Sequence, residues 1–217
     1  MSAADRLQQI RDDIAAAAKL AQRESSDIAL IAVSKTRTAA DIEPLIAAGQ
    51  RDFGESRVQE ALAKWPPLLE RYPGITLHCI GRLQSNKAAE AVQLFDVIHS
   101  LDRLSLLAAL AAETGKQDRH PAVYVQVNIG EEEQKGGCPI ESVGALVAAV
   151  RATSLPLAGL MAIPPLGVEP APYFALLAEV ARRHGVTGLS MGMSADYRAA
   201  VMLGATAVRV GTALFED

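Results

Sequence analysis

Three short stretches carry residues whose chemistry could meet on one small molecule. In the first, IALIAVSKT, an apolar run ends at Ser34 and Lys35. Strand alternation puts Ile31, Val33 and Lys35 on one face, so the amine continues an apolar stripe. Taken alone, the same lysine reads as a strand end that snorkels to water. In the second, GMSADYRAA, Gly192 permits close backbone approach and Ser194 offers a hydroxyl just before a helix start, where free N–H groups favour an anion. By itself Ser194 is an ordinary helix N-cap. The third, RVGTALF, repeats the small-plus-hydroxyl pattern in Gly211 and Thr212. Alternation places Arg209 on the side of Gly211, where a permanently charged guanidinium needs a partner. That partner is either a carboxylate such as Glu55 or a ligand.

Together these groups describe a site for a phosphorylated aldehyde. Desolvation lowers a lysine pKa and frees the neutral amine to form an imine. Ser194, Gly211 and Thr212 supply neutral donors to a phosphate. Pyridoxal 5′-phosphate (PLP) meets all three demands, with its aldehyde on Lys35, its phosphate on the two loops and its ring nitrogen facing Arg209. A Schiff-base aldolase binding a phosphorylated sugar directly is a further use of the same groups.

The elements that must position them follow from a rhythm along the chain. Runs IALIAVSK, DFGE, TLHCIG, VIHSLD, AVYVQVNI, LAGLMAI, GLSMGMS and AVRVGT alternate with helix-like stretches that include 39–49, 103–114, 141–152, 172–185 and 196–203. Strands separated by helices pair in parallel, and a single-domain (β/α)8 TIM-type barrel is the natural closure, with an open doubly wound sheet as the alternative. In such a barrel function collects at the C-terminal strand ends, and phosphate commonly binds after the seventh and eighth. The chain reaches only Asp217 after AVRVGT, so the N-terminal helix over 2–23, opened by a Ser2/Asp5 capping box, is expected to stand in for the missing cover of the last strand or to close part of the barrel wall. The expected organisation is one PLP-binding domain over 1–217, with helix 1–24 followed by barrel elements over 27–212.

Composition narrows the partners. A chain of 217 residues, 50% hydrophobic with a net charge of −4, can bury a large core and offers no general attraction to nucleic acid. No targeting segment or bilayer-length apolar run is evident. Cys79 and Cys138 show no metal or disulfide spacing, which fits a reducing cytoplasm. A monomer is expected. His78 reads as a satisfied core histidine and Met161 as core, while Asn86 and Lys87 either open a helix or border the site. GEEEQKGG reads as a mobile acidic loop with Lys135 solvated.

AVSKT, FGES with VQE over 53–60, IGRLQSNK over 80–87, GLMAIP over 159–164, GMS and VRVGTALF together resemble the pyridoxal phosphate homeostasis protein family, in order from about residue 28 to 216. The resemblance implies a barrel like the cofactor domain of alanine racemase. It also implies PLP on Lys35, phosphate at Ser194, Gly211 and Thr212, and Arg209 at the pyridine nitrogen. Its members are regarded as carriers or regulators in vitamin B6 and amino-acid balance, so little catalysis is expected, with apo-enzymes as recipients. The alternative is a racemase-like enzyme acting on a small amino acid, which would need a second catalytic group that alanine racemases draw from an added domain. Where the family reads FGEN this chain has Ser56, which lacks an amide's paired donor and acceptor.

Overall fold

The computed structural model describes residues 1–215, and in it each strand-like run becomes a strand. These are β1 (Ala29–Val33), β2 (Asp52–Glu55), β3 (Thr76–Cys79), β4 (Val97–Leu101), β5 (Ala122–Val127), β6 (Leu157–Ala162), β7 (Leu189–Ser190) and β8 (Ala207–Val210). Every neighbouring pair is parallel, and β1 pairs with β8 as well as β2. The sheet is therefore a closed barrel in sequential order, and the open-sheet alternative is set aside.

The helices are α1 (Ala3–Leu20), α2 (Ala39–Ala47), α3 (Val58–Arg71), α4 (Ala88–Leu94), α5 (Leu104–Gln117), α6 (Val143–Arg151), α7 (Ala171–Arg183) and α8 (Tyr197–Met202). The Ser2/Asp5 capping box forms as expected, and Leu7, Ile10 and Ile14 of α1 are buried at helical spacing. Arg6 donates to the Leu214 carbonyl at 2.8 Å, Arg11 to that of Gly49 at 3.1 Å, and Asp13 accepts from the Tyr197 hydroxyl at 2.8 Å. The first helix thus lies between α2 and α8, in the place a helix after β8 would fill.

Register divides the strands into two faces. Leu30, Ala32, Phe53, Leu77, Ile98, Val123 and Leu160 point outward and join the core beneath the helices. The inner face is polar to an unusual degree for a parallel barrel, with His78, His99, Ser190 and Arg209 all buried. Gly54 leaves room on this face for two isoleucines: a Cβ there would lie 3.0 Å from Ile31 Cγ2 and 3.1 Å from Ile80 Cδ1. Residues 216–217, part of the expected 1–217 domain, lie outside the described residues.

Candidate functional site

Lys35 stands at the C-terminal mouth, in a turn just past β1. Ser34 N–H still reaches the Gly54 carbonyl at 3.0 Å, but Arg37 N–H turns back to Ser34 O at 3.1 Å, and Thr36 takes φ +64°. Lys35 is consequently exposed, not buried in the stripe that alternation predicts. The strand ends at Val33, so no neighbouring strand covers the next inward position.

The turn is held from below by a buried cluster on the outer face of the barrel. Lys64 Nζ of α3 donates to Ser34 O at 2.8 Å and Arg37 O at 3.0 Å, the carbonyls flanking Lys35. The same ammonium pairs with Glu55 Oε1 at 2.7 Å. That oxygen also accepts from Ser34 Oγ at 2.6 Å and Trp65 Nε1 at 2.9 Å. Glu55 therefore faces away from the barrel interior, and the Arg209–Glu55 ion pair allowed by sequence is not formed. Lys64 belongs to none of the motifs that carry the sequence reading. Its signal was spacing: Ala61, Lys64, Trp65 and Leu68 occupy one stripe of α3 at i, i+3, i+4 and i+7.

Arg209 points inward, as alternation predicts. Its Cα is in register with Ile31, and its guanidinium donates to Ser190 Oγ at 2.5 Å and to the Ala162 carbonyl at 3.0 Å. Burial draws its pKa down to about 10, which leaves it charged at neutral pH. Among the described residues no carboxylate pairs with it.

The two loops beyond β7 and β8 come together. Arg209 N–H bonds Gly192 O at 3.0 Å, and Gly211 N–H donates to Ser194 Oγ at 3.2 Å. Helix α8 begins at Tyr197 with Asp196 as its N-cap, so Ser194 is a loop residue and not the helix cap. Asp196 Oδ1 accepts from Met193 N–H at 2.6 Å, while no acceptor among the described residues meets the amides of Ser194, Ala195 and Thr212. Gly192 has φ +93°, and a Cβ there would lie 2.5 Å from Ala200 Cβ. Gly192→Ala is therefore expected to destabilise the protein by at least about 2 kcal/mol, through left-handed strain and overpacking, measured as a urea midpoint shift. An unchanged midpoint would show that the loop relaxes freely.

His78 is buried, with both ring nitrogens in hydrogen-bond contact, and Met161 is buried. Asn86 and Lys87 lie in a short 3-10 turn preceding α4, where Lys87 pairs with Glu90 at 3.1 Å. Lys135 is not freely solvated: it pairs with Glu132 at 2.5 Å and donates to Pro164 O at 3.0 Å, joining the loops after β5 and β6. Ser56 borders a cleft of about 720 Å³ at the rim, together with Arg57, Arg82 and Lys87. The thiols of Cys79 and Cys138 are free, and burial pushes them up to about 12 and about 11, so neither is a ready nucleophile.

The fold and this mouth define a class: a parallel (β/α)8 barrel with an accessible amine after β1, a donor-lined loop pair after β7 and β8, and a buried arginine between them. The family described as alanine racemase, N-terminal domain, matches residues 6–217. The pyridoxal phosphate homeostasis protein of Pseudomonas aeruginosa is 40% identical, covering 98% of this chain and 94% of that one. That of Escherichia coli K12 is also 40% identical, over 98% of this chain and 95% of that one. The solved structure of PipY from Synechococcus elongatus PCC7942 with PLP bound has a TM-score of 0.83 at 39% identity, covering 98% of this chain and 99% of that one. The chain belongs to the alanine racemase N-terminal domain family and, within it, to the pyridoxal phosphate homeostasis proteins.

Proposed function

We propose that the protein binds PLP reversibly through an imine on Lys35, and serves vitamin B6 and amino-acid homeostasis as a carrier or regulator with little catalysis. The observation that carries this reading is convergence: Ile31 in register with Arg209, and Gly211 packed on Val33, bring β1 and β8 side by side beneath Lys35 and the donor-lined loops. When bound, the cofactor supplies an aldehyde that condenses with an amine, releasing water, and an electron-withdrawing ring.

The residues present fit that group. Lys35 supplies the amine. The hydroxyls of Ser194 and Thr212 and the amides of Ser194, Ala195 and Thr212 offer neutral donors suited to a phosphate, Gly211 joins the two loops by donating its amide to Ser194 Oγ, and Arg209 offers a donor to a ring nitrogen. Ser56, where the family reads asparagine, cannot reproduce the two-way hydrogen bonding of an amide. Removing both hydroxyls in Ser194→Ala, Thr212→Ala should weaken PLP retention by a few kcal/mol at most, each charge-assisted bond being worth about 1.5–3 kcal/mol. Pyridoxal without its phosphate should bind both proteins alike. Equal losses for both ligands would move these residues away from the phosphate.

Arg209 favours a carrier over an enzyme. A carboxylate beside a pyridine nitrogen holds a proton there and stabilises a carbanion, whereas a guanidinium donates a hydrogen bond and opposes a second positive charge. The racemase-like alternative needs a further acid/base group against the substrate. We place the protein in the cytoplasm as a monomer, with apo-enzymes as recipients; among the described residues no helix is long and apolar enough to cross a membrane. The test is to mix the PLP-loaded protein with an apo-enzyme and, separately, with common amino acids. Recovery of the enzyme's activity together with negligible turnover is expected. Robust Lys35-dependent turnover of any one amino acid would overturn the carrier reading.

A further inference from the structure

Arg209 is the end of a hydrogen-bonded chain that runs through the barrel interior. Its guanidinium donates to Ser190 Oγ at 2.5 Å; Ser190 Oγ lies 2.8 Å from His99 Nδ1; His99 Nε2 lies 3.0 Å from His78 Nδ1; and His78 Nε2 lies 3.1 Å from Asp52 Oδ1. Ser190 and His99 are fully or almost fully buried, and the His99 ring stacks on Tyr124 with centroids 4.4 Å apart and planes 15° from parallel. Asp52 opens β2, so the chain ends at the N-terminal mouth, where Asp52 borders a cleft of about 620 Å³.

We propose that Ser190, His99, His78 and Asp52 are positioning residues, a polarised relay that fixes Arg209 and sets how strongly it donates to the ligand ring. The proposal rests on the reading that Arg209 meets the PLP nitrogen.

Direction is dictated from both ends. A guanidinium only donates, so Ser190 Oγ accepts from it and its own proton goes to His99 Nδ1. His99 then carries its proton on Nε2 and donates to His78 Nδ1. His78 in turn carries its proton on Nε2 and donates to a carboxylate. The reverse order would leave the Ser190 proton without an acceptor and set a bare His78 nitrogen against Asp52. A second proton on the pair is opposed at His99, whose pKa is held well below the usual imidazole value first by burial and then by His78 and Arg209. Every bond in the favoured order turns its negative end toward Arg209, and aligned bonds polarise one another. The buried cation, lacking a direct carboxylate, thus gains a distant one through the relay.

Nitrogen-15 NMR of the cofactor-free protein tests the order without any cofactor. His99 and His78 should each be protonated on Nε2 alone, with a scalar coupling across the His99–His78 hydrogen bond. Ser190→Ala should redistribute the His99 tautomers. In the loaded protein it should shift the imine absorption maximum and raise the PLP Kd about tenfold, the worth of one hydrogen bond, and Ser190→Thr should restore all three. A proton on His99 Nδ1 in the native protein, or a Ser190→Ala variant with unaltered tautomers and spectrum, would overturn the relay. Absence of any reducible adduct on Lys35 in the native protein would instead remove the cofactor reading and the relay's link to the ring, leaving the tautomers to decide whether the chain itself exists.

Discussion

Lys35→Ala abolishes the reducible imine and leaves the barrel folded. Two features make this expectation sharp. Lys35 lies in an exposed turn beyond β1, and among the described residues its ammonium has no hydrogen-bond or ion-pair partner, so its loss should change stability by no more than about 0.5 kcal/mol. The other lysines outside the outer helix α1 are engaged. Lys64 is held by Glu55 and two carbonyls, Lys87 by Glu90, Lys116 by Glu113, and Lys135 by Glu132 and Pro164 O. An amine already donating to a carboxylate is a poor nucleophile, and one serving as a structural clamp cannot leave. Absorption spectra before and after borohydride, beside a thermal melt, check both halves of the statement. An undiminished adduct on another lysine would contradict it.

Lys64→Met destabilises the cofactor-free protein by about 3–5 kcal/mol, because it strands the Glu55 carboxylate without its cation. Exposure does not soften the loss: Glu55 is fully buried and the Lys64 side chain is 13% exposed. Glu55 Oε2 already lacks a hydrogen-bond partner, and once Lys64 is gone only the neutral donors Ser34 Oγ and Trp65 Nε1 remain on Oε1, so no other cation offsets the buried charge. The double variant Lys64→Met, Glu55→Gln removes the stranded charge and should recover more than half of the loss in urea denaturation. Function should suffer as well. The Ser34 and Arg37 carbonyls lose their shared donor, so the turn that presents Lys35 loosens and PLP affinity falls even though Lys64 touches no part of the proposed ligand. Additive effects of the two substitutions, with no recovery in the double variant, would show that the pair is not coupled.

What the sequence made legible was the periodic part of the molecule. Apolar runs gave eight strands, parallel pairing gave the barrel, and the Ser2/Asp5 box with the Leu7, Ile10 and Ile14 spacing gave the helix that covers β8. Alternation also gave the inward direction of Arg209, because residues 207–210 lie within regular strand. The same rule failed at Lys35, two residues past the end of β1, where the chain has left strand geometry and turns through a left-handed Thr36.

Residues whose roles depend on tertiary partners were harder to read. Glu55 was a candidate partner for Arg209 until register placed it with Phe53 on the outer face, against Trp65. Ser190 and His99 lie within apolar runs and gave no signal of chemistry, since only barrel closure brings β4, β7 and β8 together around one hydrogen-bonded chain. Helices α3 and α4 were not delimited in advance. In α3 both Pro66 and Pro67 lie inside the helix, where proline removes a donor from the ladder.

Whether Lys35 is the amine that holds PLP is decided by loading the native protein with PLP, reducing with borohydride, digesting, and locating the modified peptide by mass spectrometry. One stoichiometric adduct is expected, on the peptide containing Lys35. A principal adduct on Lys64, Lys87 or Lys135, or a protein that retains PLP with no reducible adduct, would contradict it.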